Sequence, residues 1–174
     1  MPVPAPPQPG PLRVIATGGT FDKVYDPLTG QLGFEETCVR ELLEHARVDP
    51  LPIVEVVLLK DSLEMTADDR AALVACCARA PETRLVVVHG TDTMVDSARD
   101  LAQASLAKTV VLTGAMVPAR IAASDAPFNL GTALAAAQLL APGVWITVNG
   151  MIYAWDQVQK NRQQGRFERL PNKV

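Results

Sequence analysis

Histidine and cysteine are scarce in this chain, two and three of them respectively, and aromatic residues make up only 5%. With His45 late in an expected helix and His89 at an expected strand end, neither a histidine-based triad nor a histidine metal cluster is expected. The GxSxG nucleophile turn, the GxxxxGK[ST] phosphate loop and the three-glycine dinucleotide fingerprint are all missing. Cys38, Cys76 and Cys77 have neither metal-site spacing nor a disulfide framework. They read as small buried apolar residues of a chain kept reduced, so the expected location is cytoplasmic. No apolar run reaches the roughly 18 residues of a membrane span, and none is expected. The net charge is only -3, with both signs interspersed, which offers no concentrated basic face to nucleic acid. A secretory leader is not expected either, because residues 1–11, MPVPAPPQPGP, hold six prolines and no charge. They read as a flexible or polyproline tail ahead of one domain over residues 12–174.

What is present is a globular composition, 48% hydrophobic and 20% charged. Apolar, β-branched runs at 12–17, 53–59, 85–89, 109–113 and 144–148 read as parallel strands covered on both faces. Helical spacing falls between them. Val39, Leu42 and Leu43 mark 35–46, and Thr66 and Asp69 open 66–80 at capping-box spacing ahead of Leu73, Val74 and Cys77. Two further helices are expected at 94–106 and 126–140, the latter with Pro127 in its first turn. Strands alternating with helices imply right-handed crossovers. The expected fold is a doubly wound, flavodoxin-like α/β parallel sheet of about five strands in a three-layer sandwich.

In such a sheet the loops after the strands carry the site. After the first strand comes TGGT, ending at Thr20, with Tyr25 just beyond. KDSLEMT follows the second strand and supplies Asp61, Ser62 and Glu64. HGTDTM follows the third with Thr91 and Asp92, TGAM and SDAPFN follow the fourth, and VNG follows the fifth ahead of Lys160. Hydroxyls, carboxylates, a lysine and glycines thus converge on one sheet edge. A threonine hydroxyl is a weak nucleophile that needs a base or a neighbouring cation. Lys160 and Asp92 would form a Thr91–Lys160–Asp92 relay if the fold brings them together, and Tyr25 would take the proton of Thr20. Free backbone N–H groups in glycine turns stabilise an oxyanion. The residues therefore describe acyl transfer from an amide or ester. By themselves Asp61, Glu64 and Asp125 read as cap or loop residues.

TGGT at 17–20 and HGTDTM at 89–94, in that order, resemble the two signatures of the bacterial-type L-asparaginase (asparaginase/glutaminase) family. The likeness continues through TGAM at 113–116, SDAPFNL at 124–130 and VNG at 148–150 with Lys160 at the family's spacing, and so covers residues 12–172. It implies an asparaginase N-terminal-type domain that hydrolyses L-asparagine to L-aspartate and ammonia without a cofactor or metal, through an acyl-enzyme. Thr20 would be the nucleophile and Tyr25 its partner on a lid. Thr91, Asp92 and Lys160 would form a second triad. Ser62 would bind the substrate's α-carboxylate and Asp92 its α-amino group, while Gly19, Asp61, Leu63, Gly90, Thr91, Ala115 and Met116 would line the pocket. Leu63 stands where many members carry glutamine, and Phe21 where an aliphatic residue follows TGGT. Typical members are about twice as long. The chain therefore reads as a short member without the C-terminal domain, whose site another protomer completes in a homodimer or larger assembly. A regulatory amino-acid-binding module of the same fold, or a hydrolase preferring L-glutamine or D-asparagine, is the alternative.

Overall fold

The computed structural model describes residues 10–171. All but the last two residues of the tail expected at 1–11 lie outside them. Along the chain run β1 (Leu12–Gly18), β2 (Lys23–Asp26), β3 (Gln31–Phe34), α1 (Val39–His45), β4 (Ile53–Lys60), α2 (Ala67–Arg79) and β5 (Arg84–Val88). Then follow α3 (Met94–Gln103), β6 (Thr109–Thr113), α4 (Ala126–Leu139), β7 (Gly143–Val148), β8 (Met151–Ala154), β9 (Val158–Asn161) and β10 (Arg166–Arg169). Short 3-10 turns occupy Thr20–Asp22 and Ser62–Glu64.

The main sheet has six strands in the order β4-β1-β5-β6-β7-β8. The first five are parallel to their neighbours, and β8 closes one edge antiparallel to β7. The parallel five are those expected, in the flavodoxin-like doubly wound order. The sixth is an addition, since Asn149 and Gly150 at φ 51 and 78 turn β7 straight back on itself. That left-handed pair is a short hairpin turn within a motif already read for chemistry.

Alternation along the strands builds the two outer interfaces. On β5, Leu85 and Val87 face α2 and α3 with Leu73, Met94 and Leu101, while Val86 and Val88 face α1 and α4 with Leu43, Leu130 and Ala133. All of these are buried, so β5 is apolar on both sides, as a central parallel strand must be. The capping box before α2 forms as read. The Thr66 hydroxyl accepts from the Asp69 N–H at 3.2 Å, and Asp69 accepts from the Thr66 N–H at 2.8 Å. The helix expected at 35–46 begins only at Val39. The Asp22 carboxylate draws the preceding residues out of helical geometry by accepting from the Thr37 hydroxyl at 3.0 Å and the Cys38 N–H at 3.1 Å. Ser105, at φ 51, ends α3 short of residue 106.

Three elements were not legible as strands: the hairpin β2–β3 and the hairpin β9–β10, each a separate two-stranded sheet, and the edge strand β8. Truncating Leu85, fully buried at the centre of the sheet, leaves a void between β5 and its helices. The Leu85→Ala variant is expected to lose about 2–5 kcal/mol of unfolding free energy, measured by urea titration.

Candidate active site

The winding of the sheet reverses at β1. From there the chain moves outward to β4 and then returns to β5 on the other side. The crevice beyond the carboxyl ends of β1 and β5 is where such sheets hold ligands. β1 ends there in Gly18 and Gly19, at φ 90 and 70. A Cβ on Gly19 would lie 2.3 Å from the Gly90 Cα, and one on Gly18 would lie 2.7 Å from the Lys60 N. Both positions therefore need glycine for its conformation and for its size. The Gly19 N–H donates to the Lys60 carbonyl at 2.8 Å, which ties the ends of β1 and β4. On the far side of Gly90, a Cβ would meet the Ser62 Oγ at 2.6 Å. Thr20, Ser62 and Thr91 are thus carried on three loops whose backbones touch.

Lys160 completes a charged cluster. Its Nζ donates to the Thr91 Oγ1 at 2.7 Å and to the Asp92 Oδ1 at 2.9 Å. The residues lie 69 and 68 positions apart, so only the tertiary fold joins them. The reason is local. Val158 and Lys160 share one face of β9, and Val158 is buried in the core cluster with Phe167 of β10, which turns Lys160 inward. Arg162 reaches the same carboxylate oxygen with its Nε at 3.4 Å. Asp92 Oδ2 has no hydrogen-bond partner among the described residues.

Behind the site lies a polar scaffold. Asp125 accepts from the Met116 N–H at 3.0 Å and from the Val117 N–H at 3.0 Å, which shapes the turn through Ala115. Asn129, one helical turn on and fully buried, donates to the Gly114 carbonyl at 2.8 Å and accepts from the Asn149 N–H at 2.8 Å. One side chain thereby joins the ends of β6 and β7. Asp125 thus keeps its reading as a loop residue. Asn129 was missed, although its spacing from Asp125 at the start of a helix was a usable signal.

His89 is fully buried, with its Nδ1 2.7 Å from the Gly90 carbonyl and its Nε2 2.8 Å from the Ser97 Oγ. A carbonyl only accepts, so the proton is on Nδ1 and the Ser97 hydroxyl donates to Nε2. Burial pushes this imidazole down to about 4, which keeps it neutral and structural. At the opposite side of the crevice, burial pushes the Asp22 carboxyl up against the pull of the Cys38 N–H. Asp22 Oδ2 has no partner among the described residues. The Lys23 ammonium holds the Asp61 carboxyl down, and Asp61 also caps the turn before Ser62 by accepting from the Leu63 N–H at 3.0 Å.

The fold therefore brings Thr91, Asp92 and Lys160 into direct contact, with Ser62, Gly19 and Gly90 against them. The side-chain hydroxyls of Thr20 and Tyr25 stand at the same edge without hydrogen-bond partners among the described residues, and Tyr25 is 58% exposed. Leu63 is exposed beside Ser62, while Ala115 is buried and Met116 partly so, its Sδ 3.8 Å from the Thr91 Oγ1. Among the described residues no three His, Cys, Asp or Glu side chains stand together as a metal site would require. No helix among them is long and apolar enough to cross a membrane.

Comparison with known proteins identifies the family and agrees with the fold. The sequence model of the family described as Asparaginase, N-terminal matches residues 11–168. The L-asparaginase of Thermococcus kodakarensis is 29% identical over 159 residues, which are 88% of this chain and 48% of that protein. Its solved structure superposes with a TM-score of 0.82 at 28% identity, over 92% of this chain and 51% of that one. A structure described as a probable cytoplasmic L-asparaginase from Campylobacter jejuni gives a TM-score of 0.76 at 27% identity, over 87% of this chain and 50% of that one. The human 60 kDa lysophospholipase is 35% identical over 113 residues, 62% of this chain and 20% of that protein. The chain thus spans about half the length of these L-asparaginases.

The buried neutral imidazole has a consequence for stability. Its folded value lies below the 6.5 of the unfolded chain, so the unfolded state takes up the proton first as pH falls. His89 therefore adds its full stabilisation above 6.5 and loses it as pH drops toward 4, by about 3 kcal/mol in all. Denaturant unfolding of the wild type between pH 7 and pH 4 is expected to show this loss, and His89→Gln to lack it.

Proposed function

The chain belongs to the asparaginase N-terminal-domain family, and on that premise we propose that it hydrolyses L-asparagine to L-aspartate and ammonia through a threonine acyl-enzyme. The observation that carries this reading is the contact of the Lys160 Nζ with the Thr91 Oγ1 at 2.7 Å and the Asp92 Oδ1 at 2.9 Å. A packed threonine has no need of a half-buried lysine on its hydroxyl. An ammonium there stabilises negative charge on that oxygen as its proton leaves.

In this reading Thr20 Oγ1 attacks the side-chain amide carbon and passes its proton to Tyr25. The carbonyl oxygen becomes an oxyanion held by backbone N–H groups at the two glycine turns. The C–N bond then breaks as Tyr25 hands that proton on to the leaving nitrogen, and ammonia departs to leave an aspartyl ester on Thr20. Water then attacks the ester, its proton passing through the Thr91 hydroxyl to the Thr20 Oγ1 as the ester C–O bond breaks. The Lys160 ammonium, held by Asp92, steadies the charge on Thr91 during the transfer, and L-aspartate is released with Thr20 restored. Ser62 faces the substrate's α-carboxylate. The free Oδ2 of Asp92 faces its α-ammonium. The exposure of Tyr25 fits a residue carried on a lid, and a second protomer covers the crevice in a homo-oligomer. A cytoplasmic location is part of the same proposal and is supported by the likeness to the Campylobacter protein.

Ammonia release from L-asparagine, D-asparagine and L-glutamine tests the reading. L-Asparagine is expected to be the preferred substrate. Thr20→Ala is expected to abolish turnover with the melting temperature retained, and Lys160→Met to lower kcat by about 10²–10⁴-fold, the range of positioned proton transfer. If no amide is hydrolysed while L-aspartate still raises the melting temperature, the chain binds amino acids without turning them over.

A further inference from the structure

The Tyr25 hydroxyl has no hydrogen-bond partner among the described residues and the side chain is 58% exposed, so where it stands relative to the crevice is set by the hairpin that carries it. That hairpin, β2–β3, forms its own two-stranded sheet. Among the described residues, Lys23 is the only one of its side chains in an ion pair with the body of the domain. The Lys23 Nζ lies 2.5 Å from the Asp61 Oδ2, with the two side chains only 21% and 25% exposed. Lys23 and Tyr25 are two residues apart on one strand and project from the same face.

The other oxygen of Asp61 accepts the Leu63 N–H and so caps the turn that begins at Ser62. Ser62 in turn is buried against Gly90. The hairpin therefore cannot swing outward without either separating the pair or disturbing the turn that holds Ser62.

We infer that the Lys23–Asp61 pair is a latch that places Tyr25 over the crevice and couples the hairpin to the Ser62 turn, making both members positioning residues. The inference rests on the reading of Tyr25 and Ser62 given above, and it changes the expected role of Asp61. Both of its oxygens are engaged, so Asp61 serves the site through Lys23 and the turn.

Hydrogen exchange and kinetics on the purified full chain test the latch together. In Lys23→Met the hairpin amides at 24–33 are expected to exchange about tenfold faster, with β5 and β6 unchanged. In the same variant kcat is expected to fall about tenfold and KM by much less; tenfold is the scale of one charge-assisted hydrogen bond. Lys23→Arg is expected to restore both. Lys23→Met combined with Asp61→Asn is expected to be no worse than the worse single variant. Unchanged hairpin exchange in Lys23→Met, or single effects that multiply in the double variant, would overturn the latch. If the wild type releases no ammonia from any amide, the amidohydrolase reading fails, and the exchange comparison by itself then decides the latch.

Discussion

The site rests on one close approach, the backbone of Gly19 against the backbone of Gly90. These residues end neighbouring parallel strands, and a single added Cβ at Gly19 would fall 2.3 Å from the Gly90 Cα. Because nothing stands between them, the threonines that follow, Thr20 and Thr91, start from adjoining points at the rim of the crevice. Ser62 closes in from the other side of Gly90 for the same reason. Strand separation in a sheet is set near 4.8 Å by hydrogen bonding. Only side-chain-free residues just past the strand ends let loops come as close as the strands themselves. The left-handed backbone at Gly18 and Gly19 turns the chain sharply enough to do so.

Charge is arranged around that contact in two layers. At the rim, Lys160 and Arg162 converge on one oxygen of Asp92, with the side chains of Lys160 and Asp92 13% and 29% exposed. A charge pair this far out of water loses hydration, and it is stable because Lys160 divides its donors between a carboxylate and a hydroxyl. Beneath the rim, neutral groups do the fixing. Asn129 uses both ends of its amide to hold two strand-end turns, and His89 uses both ring nitrogens to join Gly90 to α3. Keeping the deep layer uncharged avoids burying ions with no partner, while the outer layer keeps charge where chemistry would use it. Asp22 is the exception, a buried carboxyl at the end of the Thr20–Asp22 turn with one oxygen unpaired among the described residues.

The parallel core was legible because β-branched runs and helical spacing report burial directly. Strand positions such as Val86 and Leu85 cannot be read any other way when both faces are covered. The glycine and threonine signatures located the strand ends that matter, and the capping box before α2 was visible as Thr66 and Asp69. The short hairpins were not legible, since four-residue strands such as KVYD and VQKN carry too few positions to show a period. Lys23, Asn129 and Arg162 passed unnoticed for a different reason. Each acts on a partner far along the chain or through one buried amide, and residue type alone distinguishes none of them from a solvated side chain or a helix-forming position.

What the sequence by itself determined is the parallel sheet, its helices and the edge at which Thr20, Ser62 and Thr91 collect, because local periodicity and glycine geometry are properties of neighbouring residues. What only the tertiary structure decided is which of those residues touch. Lys160 meets Thr91 across 69 positions because Val158 and Phe167 dock their hairpin on the core. Lys23 meets Asp61 across 38 positions because the strand carrying it leaves the Thr20 turn in the direction of β4. Loop closure over such distances costs little more for one pairing than for another. Packing therefore chooses between partners that sequence spacing leaves equivalent.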